Sequence, residues 1–503
     1  MKTLRRFVML GICGLAAVVA NAAPSVYPYG VTTYQPDQTW NGYTVLSLLG
    51  APGVAVIDMN GRVVKEWSGY SSAAGGPMRV LPNGEVIGAV GNRQGRQESM
   101  RLVQQDFSGK EIWTLDGQNE IQLTGGTTDK ALRQHHDWQR ADFPAGYYSP
   151  ESRPASAGAA TLVLAHADRM VPAITDRLLQ DDHLIEYGPD GKVRWEWYAA
   201  DHVNELGLSA AARAAIKGGG GAGSGPAARG AAAGGPARAA GGGAGGAPRG
   251  PGAGPRAGGG PAGGGARAAG AAAASGPAPV SAFDWLHINS ATYLGPNKWF
   301  DAGDRRFAPD NVIISSRQAS FVAIIARDGK VVWRMGPDFR ETPELQRIGQ
   351  IIGQHHPHII PKGLPGAGNL MVFDNGGSSG YGFDTPIATN GYGGLARATS
   401  RVLEIDPVKM ETVWNYNAAG FFSTNISGAQ RLPNGNTLIT EGAGARVFEV
   451  TPQRRIVWEF MSANAEGAPA NVYRAYRVPY DWIPQLAKPT ESAVKPPPGF
   501  RAP

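Results

Sequence analysis

Six tryptophans stand in one register along this chain, each closing the same short phrase. An acidic or turn residue leads into a Gly-centred turn, then a basic residue, then a β-branched run. The phrase reads DMNGRVVKEW (58–67), DFSGKEIW (106–113), GPDGKVRWEW (188–197), ARDGKVVW (326–333), IDPVKMETVW (405–414) and VTPQRRIVWEF (450–460), giving Trp67, Trp113, Trp195, Trp333, Trp414 and Trp458. Asn60-Gly61, Ser108-Gly109, Asp190-Gly191 and Asp328-Gly329 are hairpin turns, so each phrase predicts two antiparallel strands. A second hairpin signal lies upstream of most copies: VLPNGEVIGAV (80–90), YLGPNKWF (293–300), IIPKGLPGAGNLMVFDN (359–375) and RLPNGNTLIT (431–440). Two hairpins per repeat make a four-stranded meander. Six such repeats predict an all-β fold, a six-bladed β-propeller of four-stranded antiparallel blades.

The blades are expected to span 43–485 of the 503 residues, with a disordered insert at 217–279. That segment is almost wholly Gly, Ala, Pro and Arg, and it cannot bury enough apolar surface to offset its ordering entropy. DHVNELGLSAAARAAIK (201–217) before it reads as a short helix with Asp201 as its cap. The aromatics of NVYRAYRVPYDWIPQLAKP (471–489) are spaced to pack onto the ring, and 486–503 is a Pro-rich tail. At the other end, Lys2, Arg5 and Arg6, the apolar run Phe7–Val19 and Ala20-Asn21-Ala22 form an export signal over 1–22, cleaved near Ala22, with a short extension at 23–42. The apolar run is too short for a stable membrane span. Export predicts a periplasmic or secreted chain. The single cysteine, Cys13, falls inside the signal, so the mature chain is held by its core without disulfides.

The net charge of +6 comes from the signal and the insert, which together carry nine cations and no acid. The blades are mildly acidic, which argues against a nucleic-acid partner.

Histidine placement carries the functional signal. His135-His136, His287 and His355-His356 all fall at the start of a blade's first strand, the strand that lines a propeller's channel. Three blades thus send imidazoles toward one axis. In DWLHINSATY (284–293) and NVIISSR (311–317), a strand pair separated by a turn at Gly295-Pro296-Asn297 sets His287 and Asn289 against Arg317. An imidazole beside a guanidinium suits an anionic group.

DWLHINSATY with IISSR, and Gln-His with FDNG (373–376), resemble the bacterial arylsulfate sulfotransferase family. The resemblance covers about residues 43–485. It implies a periplasmic six-bladed propeller that moves a sulfuryl group from an aryl sulfate to a phenol through a sulfohistidine. Carried over by motif, it implies His356 as nucleophile, with His355 and His358 as alternates in GQHHPH, His287 and Arg317 as the channel pair, and His136 as the upstream histidine; His135 and Asn289 are further candidates. The chain departs from the family's type members in lacking room for a large N-terminal strand domain, in lacking cysteines for a disulfide near the site, and in carrying the 217–279 insert. No cofactor is implied, and no P-loop pattern is present for a nucleotide sulfate donor. The expected partners are small aryl sulfates and phenols; nothing in the sequence specifies an oligomer. Two other classes fit the residues: a non-catalytic propeller that binds a ligand or partner, and a metal-binding hydrolase using His136, His287, His355, His356 and His358.

Overall fold

The computed structural model describes residues 29–495 apart from 51–52, 72–75, 94–96, 118, 123–127, 156–158, 219–281, 380, 382–394 and 465–466. The expected signal peptide, nearly all of the expected insert and residues 496–503 lie outside the described residues.

The architecture is all-β and propeller-like, with little helix. Three sheets are four-stranded and antiparallel: Ile288–Tyr293, Val312–Ser316, Phe321–Ile325 and Val331–Met335; His355–Ile359, Leu370–Asp374, Arg401–Asp406 and Glu411–Tyr416; and Val472–Val478, Tyr43–Leu48, Val54–Ile57 and Val63–Trp67. A fourth runs Gly428–Arg431, Thr437–Glu441, Arg446–Val450 and Ile456–Met461, with Gly30–Tyr34 added on its outer edge. A nine-stranded sheet contains two further meanders, 79–116 and 134–198, whose shared register is the single pair Gln134–Ser99.

Three local readings of the sequence are corrected. Residues 471–478 do not merely pack onto the ring: Val472–Val478 is a strand, hydrogen-bonded along Tyr43–Leu48, so the end of the chain completes the sheet that its beginning starts. The helix before the insert is Ala210–Lys217, and its cap is Ser209, whose hydroxyl accepts from Ala212 N at 3.0 Å; Asp201 instead pairs with Arg169 at 2.7 Å. After Tyr293 the chain makes no simple turn, because Asn297 caps the short helix Lys298–Asp301. The extension at 23–42 also contributes structure, in the strand Gly30–Tyr34.

The tryptophan phrase has a physical purpose. All six lie on the last strand of their meander, and five of the indoles donate to a carbonyl in the outer turn of the following one. The bonds are Trp67 to Asp106 O (3.2 Å), Trp195 to Arg327 O (3.0 Å), Trp333 to Pro407 O (2.8 Å), Trp414 to Pro452 O (2.9 Å) and Trp458 to Met59 O (2.9 Å). The last links the end of the chain back to its start. Trp113 is held differently, under the Arg140 guanidinium at 4.3 Å. Between sheets the core is aliphatic in places, as where Ile313, Val322 and Ile324 meet Leu370, Val372 and Leu403, and aromatic in others, as where Phe373, Tyr416, Phe421 and Phe448 meet. The first strands pack side by side: Gln134–Arg140 on Ile288–Tyr293, that on His355–Ile359, then Gly428–Arg431, then Val472–Val478.

Candidate functional site

Three of those first strands are irregular at the same place. The register slips between Gln134 and Trp138, between Ile288 and Ser290, and between His355 and His358. At or just before each slip a histidine takes a left-handed backbone: His136 (φ 55°) and His356 (φ 54°) inside theirs, His287 (φ 50°) one residue ahead of its own. Left-handed geometry is uncommon for a side chain with a Cβ and costs on the order of 1 kcal/mol or more. A bulge of this kind takes a residue out of the ladder and re-aims its side chain. Its recurrence in three sheets brings imidazoles together.

The His136 and His287 rings lie 4.5 Å apart, nearly edge to face, and His135 Nδ1 lies 2.9 Å from His136 Nδ1. Arg317 is anchored beside them, since its backbone N–H donates to His287 O at 3.1 Å. Among the described residues, its guanidinium makes one side-chain hydrogen bond, a long 3.5 Å contact to Ser378 Oγ. His136, His287 and Arg317 are half-buried, whereas His135, His355, His356 and His358 are buried. Partial burial lowers the Arg317 pKa, with Asp284 opposing.

His287 has an acidic partner. Asp284 Oδ2 sits 2.5 Å from His287 Nδ1. Burial works to raise the Asp284 pKa, but the charge and hydrogen bond of His287 outweigh it and hold the carboxyl well below its ordinary range.

The three histidines of GQHHPH have different surroundings. His358 is hydrogen-bonded on both sides, Nδ1 to His356 O at 2.9 Å and Nε2 to Tyr147 Oη at 2.9 Å. Both His356 nitrogens are sealed from solvent with no side-chain hydrogen-bond partner among the described residues, and the ring lies beside His358, Tyr147 and Tyr476. His355 Nδ1 faces two acceptors, Asn375 Oδ1 at 2.7 Å and Gly353 O at 3.0 Å, so it carries the proton. That leaves Nε2 with a lone pair and, unlike the nitrogens of His356, not sealed off. Burial, reinforced by the charges of Arg317, Arg474 and His287, pushes the His355 pKa well below its usual value, against the Asn375 hydrogen bond. The ring is therefore neutral at pH 7. Burial does the same to His136, helped by His287, and to His356, helped by Arg474.

The remaining motif residues hold this arrangement in place. Asn289 is buried and donates to Gln354 O at 2.7 Å. The Gln354 amide donates to Ser315 Oγ (3.0 Å), Ser316 O (3.0 Å) and Phe321 O (2.9 Å), and Ser316 Oγ to Leu286 O (2.7 Å). Ser290 Oγ donates to Asp137 at 3.0 Å, and Asp137 pairs with Arg79 at 2.8 Å. Asn375 Nδ2 donates to Ser423 O and Ile426 O, which fixes the amide that orients His355. Sequence reasoning missed two partners inside its own motifs: Asp284, three residues before His287, and Asn375, the Asn of FDNG. It also found no acid shared with the histidines, whereas Asp284 meets His287 and Asp182 lies 3.3 Å from His135 Nε2.

The metal reading had gathered His136, His287, His355, His356 and His358. Among the described residues, the group with the spacing of metal ligands is a different one, His135, His166 and Asp182.

The propeller-like fold thus gathers several histidines and a weakly engaged arginine at one end of its first strands. The chain belongs to the arylsulfotransferase (ASST) family, whose profile matches residues 51–467. Aryl sulfotransferase activity is what this membership supports. No curated protein matches the chain. Solved structures of similar fold include a protein of unknown function from Bacteroides caccae (10% identity, TM-score 0.41, covering 87% of this chain and 99% of that one). Others are a streptogramin B lyase (10%, 0.33, 88% and 86%) and apo AztD from Citrobacter koseri (9%, 0.33, 86% and 98%). Among the described residues no helix is long and apolar enough to cross a membrane.

Proposed function

We propose that this chain is an exported, periplasmic arylsulfate sulfotransferase that moves a sulfuryl group from an aryl sulfate to a phenol by a ping-pong route through a sulfohistidine, with no nucleotide donor. The carrying observation is the state of His355. Its Nδ1 proton is held by Asn375 and Gly353, no hydrogen bond engages its Nε2 among the described residues, and Arg317 and His287 lie within electrostatic reach. The first choice from sequence, His356, has both nitrogens sealed from solvent, with the Ala145 backbone as the one polar group that acts on its ring by hydrogen bonding among the described residues, so the nucleophile proposed is the alternate, His355.

His355 Nε2 attacks sulfur and the S–O(aryl) bond breaks. The electron pair leaves on the phenolate oxygen, which takes a proton from His287, and Asp284 offsets the charge of the imidazolium that donates it. The sulfated ring carries its positive charge over Nδ1–H, where two acceptors already lie. Arg317 balances charge on the sulfuryl oxygens. In the second half, His287 or His136 takes the acceptor phenol's proton, the phenol oxygen attacks sulfur, the N–S bond breaks, and His355 regains its lone pair. The ring that frames the site is read as six blades, the nine-stranded sheet counting as two, with the tryptophan bonds running from blade to blade.

The test is incubation with a chromogenic aryl sulfate with and without added phenol, and intact mass after brief exposure to donor alone. A sulfuryl adduct of about 80 Da is expected on the wild type and on His356→Ala but not on His355→Ala, as covalent transfer requires. An adduct that persists in His355→Ala and vanishes in His356→Ala returns the assignment to His356. Donor turnover without any adduct refutes the covalent route.

A further inference from the structure

Behind His136, three buried side chains from adjacent strands converge without a role in sulfuryl transfer. His135 lies on Gln134–Arg140, His166 on Thr161–Met170 and Asp182 on Leu178–Tyr187; His166 and Asp182 are direct cross-strand partners. One donor atom from each lies within 4.8 Å of the others. We propose that these residues form a site for a divalent ion of the zinc type, a fourth position being left to water.

Three observations support it, and a fourth sets what binding must change. His135 Nε2 is sealed from solvent and has no hydrogen-bond partner, although it lies 3.3 Å from Asp182 Oδ1. A buried orphan nitrogen beside a buried carboxylate calls for a shared cation, and 3.3 Å is about the separation of two ligands on a tetrahedral ion with bonds near 2.0–2.1 Å. The His135 and His166 rings are stacked at 3.5 Å, 13° from parallel. Stacked rings hold their in-plane lone pairs side by side, so binding requires one ring to turn out of the stack until both nitrogens face the ion. His166 Nδ1 lies 3.2 Å from Glu98 Oε1, and Glu98 is fixed by Arg133 at 2.8 Å, the carboxylate–histidine support of zinc ligands. Gln180 Nε2 lies 2.7 Å from His166 Nδ1 and 3.2 Å from its Nε2, so this amide must swing aside when the ion binds. Finally, Asp182 accepts from Ile288 N at 3.2 Å, which holds its carboxylate in place.

The site reaches the reactive cluster through the 2.9 Å contact of His135 with His136 and through Asp182, which accepts from Ile288 N beside His287. An ion on His135 Nε2 would leave Nδ1 as the proton donor to His136 Nδ1 and so fix the tautomer of both. The inference does not depend on sulfuryl transfer, and its test reads metal instead of turnover.

The full chain, without a histidine tag, is loaded with zinc, dialysed against a weak chelator and assayed for bound metal; cobalt substitution reads coordination from the visible spectrum. The wild type is expected to retain about one equivalent and to show the intense bands of four-coordinate cobalt. His166→Gln and Asp182→Asn should lose the ion, Glu98→Gln should weaken it by about 10–100-fold, and His358→Gln should retain it. Should a ligand variant fail to fold, the wild-type stoichiometry with the Glu98→Gln affinity decides. A wild type that retains no zinc overturns the proposal, and a proton shared between His135 and Asp182 then accounts for their contact. Zinc retained unchanged in His166→Gln and Asp182→Asn, or unchanged affinity in Glu98→Gln, overturns it as well.

Discussion

Asp284→Asn separates proton donation from mere positioning. The carboxylate lies 2.5 Å from His287 Nδ1, with side-chain exposures of 25% for Asp284 and 12% for His287. Opposite charges centred about 4 Å apart attract by about 4 kcal/mol at an effective dielectric near 20. Partial exposure and the hydrogen bond that asparagine can still make reduce the loss to about 2 kcal/mol, or about 30-fold in rate. The loss should depend on the leaving group. Departure of 4-nitrophenolate needs little protonation, so Asp284→Asn should cost it only a few-fold, while unsubstituted phenyl sulfate, whose phenolate is far more basic, should lose the full factor. The assay is single-turnover cleavage of a series of ring-substituted aryl sulfates, with log rate plotted against the pKa of the phenol. A steeper slope in the variant is the expected result. An equal loss across the series would refute acid assistance by the Asp284–His287 pair and leave Asp284 as a structural support.

Arg317→Ala removes the cation proposed to balance the sulfuryl oxygens and should lower kcat/KM for the donor by on the order of 10²-fold or more; a change under threefold would mean another group carries that charge. Asn375→Ala removes one of two acceptors on His355 Nδ1 while Gly353 O remains, so about 1 kcal/mol and a loss of five- to tenfold are expected. A loss as large as that of His355→Ala would show that the amide does more than orient the ring. Folding stability should fall on acidification. Burial is the leading cause that lowers the pKa of His135 to about 3, His166 to about 4, His183 and His358 to about 3, and of His136, His355 and His356 well below the usual value. The unfolded chain takes up these protons below about pH 6.5 and the folded chain resists, so each group still neutral removes about 1.4 kcal/mol per pH unit below that point. Glu98, held low against burial by its hydrogen bonds to His166 and Arg133, and Asp284, held low against burial by His287, add a loss below about pH 4. Asp182, raised by burial, works the other way, its penalty at neutral pH vanishing in acid. A denaturation midpoint that does not move between pH 7.5 and 5.5 would contradict the neutral-histidine core.

The repeat was legible because its function is local. A tryptophan ends every copy and a Gly turn opens four of them, and five of the indoles reach the turn of the next sheet, as Trp458 reaches Met59. The closing strand was not legible: VYRAYRV lacks that phrase, and its place beside Tyr43–Leu48 depends on a partner more than four hundred residues away. The candidate histidines were legible as a set and not as individuals. GQHHPH has three imidazoles in four positions, and only the bulge at His356 decides which way each one faces: His358 against Tyr147, His356 into a sealed space, His355 onto Asn375.

The motif pairs were specific for a reason invisible in one dimension. The Gln354 carbonyl takes the Asn289 amide, and the Gln354 side chain ties back to Ser315, Ser316 and Phe321 in the neighbouring sheet. H-x-N-S, S-S-R, Q-H and D-N-G are therefore one connected network that crosses between sheets. A network of buried hydrogen bonds tolerates little substitution, because each deletion strands a desolvated partner. These residues are fixed by the need to hold His287, Arg317 and His355 in register, and Asn289, a candidate for the chemistry by sequence, belongs to that frame.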